Sequence, residues 1–535
     1  MERAILVGLA GITLAACRPA TAPAPVEASE TPAPPASLPA IPLVTGALQP
    51  SVAYPRPGQL IQSRDSNFIF GSVGNGRASL TINGQPVDVW PNGAFLGYVA
   101  NPAPTASPTY DLVVALGSDT ARATLPVRVA GMPVPDSVRL ARDTMPTPPP
   151  PPNVITDTTP TWVVLGDSVM VQSDTDRVII GRPGPNTVYR WFLLPGTRVQ
   201  LTGRFPGFAR VRLDSVLQIW VIADDARTFA RDTVRPRRVA GNARVRSDSA
   251  WSDLIIPMSE RPAYFVDERE QSLELTLYDT RGNTDQVNYP SSDSLIKLVE
   301  WEQVRSDRVV YSVRLSRPSP PFGYLVMYEN GALVLRVRRP PSRIDDARRS
   351  LAGLTIAVDP GHPPGGAIGP TGLTEADAVL PVGFALKRIL EERGANVFMT
   401  RSAPEAVDLG MRPIMARRAG AHAFVSLHYN AYGDGVNPFR QPNGMEVYFY
   451  RPRSEPLARA IQTRLLRYQP LPDQGVYFRS LAVVRTTWMP AILAEGGFMM
   501  IPEQEYAMRT PEFQERYARA VADGLEEFFR SVRSP

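Results

Sequence analysis

Cysteine occurs once in the 535 residues, at Cys17, so no disulfide within the chain can hold it together. Lysine is nearly absent: Lys297 and Lys387 are the only two, and 57 basic against 52 acidic residues leave a net charge of +5. That balance lacks the dense basic stripe of a nucleic-acid binder, and nucleic acid is excluded as a partner. Long apolar runs are scarce as well. The run Ala4–Ala16 has 13 residues, short of the ~20 that span a bilayer as a helix. Proline is what the chain has in excess, with 56 residues crowded into segments that read as linkers. Hydrophobic residues at 43% supply ordinary cores and exclude a wholly disordered chain, and at ~150 residues per domain the length suggests three or four domains.

Ala4–Ala16 has the length of a signal-peptide core. With Leu14-Ala15-Ala16-Cys17 it resembles a bacterial lipobox, which implies cleavage before Cys17 and lipidation of its thiol. Residues 1–16 are therefore expected to be a signal peptide and 17–50 a lipidated, Pro/Ala-rich tether. Arg18 follows the cysteine, where an aspartate would mark retention at the inner membrane. A periplasm-facing outer-membrane anchor is expected by that analogy.

Three β-rich modules follow. In 51–132, Asn83-Gly84 joins two alternating runs, the strongest short hairpin signal, and the region is expected to form an Ig-like sandwich. A Pro-rich linker (133–157) leads to five short strands within 158–235 that resemble an SH3-like barrel. Residues 239–340 alternate with period two and resemble an AMIN-like β-sandwich. From 351 to 535 the pattern becomes strand–helix alternation, expected to be an α/β domain with a mostly parallel or mixed sheet. Its expected elements include a single helix Glu505–Val532 and a strand Leu481–Val484.

Loops at the carboxyl ends of strands are where α/β folds build sites. His362 follows the apolar strand Leu354–Val358, Glu375 opens a helix, and His428 ends the strand Ala423–Leu427. Two imidazoles and one carboxylate form a set that holds zinc and leaves a fourth position for water. The third histidine, His422, lies six residues before His428, about 20 Å along a strand, and is excluded from the same ion. Glu495 ends the buried-type strand Pro490–Ala494. A carboxylate there is unwelcome unless paired or functional, and beside a metal it can serve as the proton-transferring base.

Asp359-Pro360-Gly361-His362, Gly372-Leu373-Thr374-Glu375, Thr400-Arg401, Ser426-Leu427-His428-Tyr429-Asn430-Ala431 and Glu495-Gly496-Gly497-Phe498 occur in one order. In that order they resemble zinc-dependent N-acetylmuramoyl-L-alanine amidases of the Amidase_3 type. The resemblance implies one zinc on His362, Glu375 and His428, Glu495 as catalytic glutamate, and hydrolysis of the muramoyl–L-alanine amide of peptidoglycan. Arg401, Arg412 and Asn430 are candidates for substrate binding, Arg401 and Arg412 equally for bracing loops, and Asp359 for organising the metal loop. Trp488 and Phe498 are candidates for the groove, with packing the commoner fate of such residues.

Departures from the family pattern are Pro363-Pro364 after the first histidine, Pro381 inside the ligand-bearing helix, and Met499-Met500-Ile501 after Phe498. The expected partners are peptidoglycan and, through Cys17, a membrane, with division or envelope proteins admitted. The rival reading is an amidase-like lipoprotein without catalysis that binds or regulates. The segment Tyr429–Gly444 carries Gly433, Gly435, Pro438 and Pro442, which suit a loop. No helical plug is expected over the site, so the excised 351–535 domain should act unaided.

Overall fold

The computed structural model describes residues 37–103, 107–129, 155–166, 178–227, 235–291, 293–316, 321–342, 346 and 349–532. The leader, Cys17 and most of the Pro-rich linker fall outside these residues. No helix among them is long and apolar enough to cross a membrane.

The first module packs a three-stranded sheet (Ser51–Tyr54, Ser66–Ser72, Ala94–Ala100) against a four-stranded one (Ser79–Ile82, Gln85–Val87, Thr109–Leu116, Asp119–Pro126). Asn83 and Gly84 turn its expected hairpin with φ of 49° and 79°, the left-handed pair that a two-residue turn needs. Ile69 points into the sandwich core, whereas Phe68 and Phe70 point out of it and are still buried. Alternation would ordinarily put polar residues on that outer face. Their burial means that something covers it.

The second module is a five-stranded antiparallel sheet built on Arg198–Phe205, with the pair Ile179–Gly181 and Trp191–Leu193 beside it. The third stacks a five-stranded and a four-stranded sheet over Leu254, Leu275, Val313 and Leu335. Arg338, at the end of its strand Ala332–Arg338, is buried against the last domain. It donates to the carbonyls of Ala421 (2.6 Å) and Gly420 (3.2 Å) and lies over the rings of Trp251, Phe322 and Trp488.

The C-terminal domain runs β1 (Thr355–Pro360), α1 (Glu375–Glu392), β2 (Asn396–Met399), α2 (Met411–Arg418), β3 (Ala423–Asn430), β4 (Met445–Phe449), α3 (Glu455–Tyr468), β5 (Asp473–Phe478), β6 (Ala491–Phe498), α4 (Pro502–Met508) and α5 (Pro511–Val532). Its six-stranded sheet has the order β2-β1-β3-β6-β4-β5, parallel except between β6 and β4. Helices α1, α3 and α5 bury Val379, Leu386, Leu457, Ile461, Tyr517 and Leu525 against it.

Two expectations are corrected, and one element is added. The single C-terminal helix is two, because Pro511 has no amide hydrogen to continue α4. Ala482–Val484 is a 3₁₀ turn rather than a strand. The edge strand β5 was not expected.

Candidate functional site

α1 starts at Thr374, whose Oγ1 accepts from the Asp377 amide (3.2 Å). This cap delivers Glu375 as the first residue of the helix, where the helix dipole favours a carboxylate. The Glu375 side chain is buried below the sheet's carboxyl edge. Its Oε2 accepts from Ala367 N (2.8 Å) and its Oε1 from Tyr429 N (3.1 Å). Burial alone would push this carboxyl up, but the His362 and His428 imidazoles overturn that and hold it well below the usual range.

His362 and His428 face Glu375 from two strand ends, with Nε2 of His362 3.3 Å from Oε2 and Nδ1 of His428 2.9 Å from Oε1. Their ligand atoms and that of Glu375 all lie within 4.8 Å of one another. The far side of each ring decides its tautomer. His362 Nδ1 lies 3.0 Å from the Pro364 carbonyl, which can only accept, so Nδ1 carries the hydrogen. His428 Nε2 lies 3.0 Å from Ser426 Oγ, whose own hydrogen goes to Asp359 Oδ2 at 2.6 Å. His428 Nε2 is therefore the donor. That turns His362 Nε2 and His428 Nδ1 toward the Glu375 carboxylate; burial alone would lower the His362 pKa, but the carboxylate overturns that and raises it. Such a cluster needs a positive charge at its centre, a proton or a metal, and two imidazoles with one carboxylate converging within 4.8 Å are a donor set that fits zinc.

Asp359 anchors that outer layer. It accepts from Thr400 Oγ1 (2.5 Å) and Arg412 Nη1 (2.7 Å) as well as Ser426. It takes the place of a loop organiser rather than of a base. Gly361 is required because a Cβ there would stand 2.3 Å from the His428 ring. Glu505, buried on α4, accepts from the Thr371 amide (3.0 Å) and hydroxyl (2.8 Å) and from the Leu373 amide (3.2 Å), pinning the loop between the first two ligands.

Glu495 is the register partner of His428 across β3 and β6 and of Glu446 across β6 and β4. Its Oε2 is sealed from solvent with no hydrogen-bond partner. Burial, then the charges of Glu375 and Glu446, push its carboxyl well above the ordinary range against the pull of Arg479. An acid that prefers to hold a proton beside a metal site is suited to proton transfer.

The other candidates land differently. Arg401 is 2% exposed and donates to the carbonyls of Pro360, Gly361, Ala376 and Ala403. Arg412 is 1% exposed and holds Asp359 together with the carbonyls of Pro360, Pro363 and Val407. Both guanidinium groups face inward and brace the metal loop, which corrects the substrate-binding expectation. Asn430 donates to Glu446 Oε1 (2.5 Å) and stays near the site through that acid. Trp488 stacks on Trp251 at 4.0 Å in a module junction, and Phe498 is buried against Tyr432 at 4.4 Å. His422 accepts from Thr355 N (3.0 Å) and is not in the ligand group.

Residues 356–527 match the Amidase_3 family, described as N-acetylmuramoyl-L-alanine amidase. The protein YqiI of Bacillus subtilis is 31% identical over 189 residues, covering 34% of this chain and 88% of that one. The chain belongs to the Amidase_3 family. A probable cell wall amidase, LytH of Staphylococcus epidermidis, is 32% identical over 187 residues, and the matched region spans 34% of this chain and 60% of that relative's length. Among solved structures, the amidase AmiC2 of Nostoc punctiforme is 33% identical over 34% of this chain and 99% of that chain, with a TM-score of 0.31.

Ser426 lies in one of the sequence motifs without an assigned role there, and Glu446 escaped sequence reasoning; both had a signal. Ser426 is a polar residue two positions before His428, hence on the same face of β3. Glu446 is a carboxylate inside the otherwise apolar strand Met445–Phe449.

Proposed function

We propose that this protein is a zinc-dependent peptidoglycan hydrolase that cleaves the amide between N-acetylmuramic acid and L-alanine. The observation that carries this reading is the convergence of two imidazole nitrogens and the Glu375 carboxylate on one point, with Glu495 one strand away. Zinc on His362, Glu375 and His428 would supply a Lewis acid that acidifies a water and polarises the scissile carbonyl. Glu495 accepts the proton of the attacking water and passes it to the leaving amide nitrogen. Its burial and its acidic neighbours keep it ready to hold that proton between the two steps. Tyr517, donating to the carbonyls of Ala494 (2.8 Å) and His428 (3.3 Å), ties the base-bearing strand to the ligand-bearing one. The lipobox-like start supports attachment at the cell envelope through Cys17, with action in wall remodelling or daughter-cell separation as part of the same proposal.

The test is metal content and product identity on purified sacculi. The wild-type chain should carry one zinc and release stem peptides with a free L-alanine amino terminus. His362→Ala and His428→Ala should lose both zinc and turnover. Products cut within the stem would move the reaction to a peptide bond. A zinc-loaded chain that leaves sacculi intact would favour the binding lipoprotein.

A further inference from the structure

The outward-facing Phe68 and Phe70 of the N-terminal sandwich do have a cover, and it is the amidase domain's rim. With Leu96 they enclose Met500, and Ile368, Tyr432 and Ile501 pack around the same cluster. Each of these four rim residues lies on a loop leaving a functional residue. Ile368 lies between His362 and Glu375, Tyr432 just past His428, and Met500 with Ile501 just past Glu495. Met499-Met500-Ile501 departs from the family pattern, and the sandwich packing on it accounts for Met500 and Ile501.

A polar lock accompanies the apolar contact. Asp434, in the loop after His428, accepts from the Tyr54 hydroxyl, from Gln62 N (2.8 Å) and from Asn67 Nδ2 (3.3 Å). Gly435 donates its amide to Asn67 Oδ1 (2.8 Å) and accepts from the Tyr98 hydroxyl (2.9 Å). Gly435 has φ +83°, and a Cβ there would stand 2.9 Å from Ser63. Between His428 and β4 the loop holds only a three-residue 3₁₀ turn, Pro438–Arg440, and no α-helix. Gly433 and Gly435, flanking Asp434, leave this part of the segment many conformations unless something outside holds it.

We propose that the N-terminal β-sandwich is a positioning element of the active site, with Asp434 and Asn67 as positioning residues. By clamping the loop after His428 and the Met500 rim it shapes the wall against which an extended glycan strand lies. The metal ligands keep their own bracing from Asp359, Arg401, Arg412 and Glu505, and the base-bearing strand keeps its tie to Tyr517. Loosening the clamp should therefore weaken the grip on polymer and spare metal binding. This replaces the expectation that the excised 351–535 domain is self-sufficient, since excision would bare Met500, Ile368 and Ile501. The proposal rests on the amidase reading for its substrate.

The experiment uses the full chain with Asp434→Ala and, as a gentler variant, Tyr54→Phe. Hydrogen exchange of the Gln62 and Gly435 amides, zinc content, and kcat and KM on sacculi are measured. Cosedimentation with sacculi of the same variants in a Glu495→Gln background reports affinity without turnover. Asp434→Ala should speed exchange at both amides by about tenfold, as when a local hydrogen-bonded unit is released. It should raise KM and weaken cosedimentation several-fold, leaving kcat and zinc near wild type. Tyr54→Phe should shift the same quantities less. Unchanged exchange, or loosened loops with undiminished or improved affinity, would overturn the proposal. If the wild-type chain never hydrolyses sacculi the amidase reading fails, and exchange with cosedimentation still decides the clamp.

Discussion

Glutamine at position 495 keeps the side chain's shape and removes its charge, which separates chemistry from stability. In the metal-free protein Glu495 is half-buried, its Oε2 is shut off from solvent without a hydrogen-bond partner, and it faces the negative charges of Glu375 and Glu446. Its folded pKa is raised, so above the unfolded value of about 4.3 the native state binds more protons than the unfolded one, and stability falls as pH rises. Glu495→Gln removes that cost. The chelated variant should be more stable than chelated wild type at pH 7 by about 1–3 kcal/mol, the range for an unsatisfied buried polar group. The gap should close below about pH 4, where Glu495 is protonated in both states. Zinc content should persist, because the three ligands are untouched. Turnover should fall ~10²–10⁴-fold, the usual contribution of a general base. Urea melts in chelator at two pH values, metal analysis and mass spectrometry of digested sacculi read all of this. A rate loss below about threefold would assign the base elsewhere. A variant less stable at pH 7 would mean that the carboxylate is held by partners rather than merely enclosed.

Two more perturbations follow. Arg338→Ala leaves the buried carbonyl of Ala421 without its donor, drops the bond to Gly420 and removes the cation beside the stacked Trp251 and Trp488 rings; it should cost about 2–4 kcal/mol in denaturant midpoint analysis and change the tryptophan fluorescence. A change under about 0.5 kcal/mol, the size of an ordinary surface substitution, would deny this residue its role as a junction pin. Cys17→Ser should release the protein from membranes into the soluble fraction, since stable anchoring takes more than one acyl chain, whereas continued membrane fractionation would point to an uncleaved leader.

Much of the catalytic layout was legible because it obeys local rules. Glu375 opens α1 and His362 lies just past β1, while His428 and Glu495 follow apolar runs into the carboxyl halves of β3 and β6, two residues and three residues short of the strand ends. Asn83-Gly84 announced its turn for the same reason. What stayed hidden depends on partners distant in sequence. Arg401 and Arg412 look like surface cations until the carbonyls that surround them are placed. Asp434, between Gly433 and Gly435, reads as an ordinary loop acid, and Met500 as a mere departure from pattern, because the sandwich that receives them lies more than three hundred residues earlier. The strand β5 was missed because it lies at the sheet's edge, mostly exposed, and its pairing with β4 shifts register near Gly475. The run Leu481–Val484 misled because four apolar residues fit a buried turn as well as a strand.

His428 and Glu495 occupy one rung of the ladder between β3 and β6. Their separation is thus set by the spacing of neighbouring strands, about 4.8 Å, rather than by any loop. A sheet's interior does not open on the timescale of turnover, so this distance is not an adjustable quantity in the folded enzyme. Whatever governs this site must therefore act on what reaches the rung, not on the rung itself. The same constraint gives lineages latitude: loops, rims and whole modules can be exchanged around the sheet while the ligand and its base stay in step.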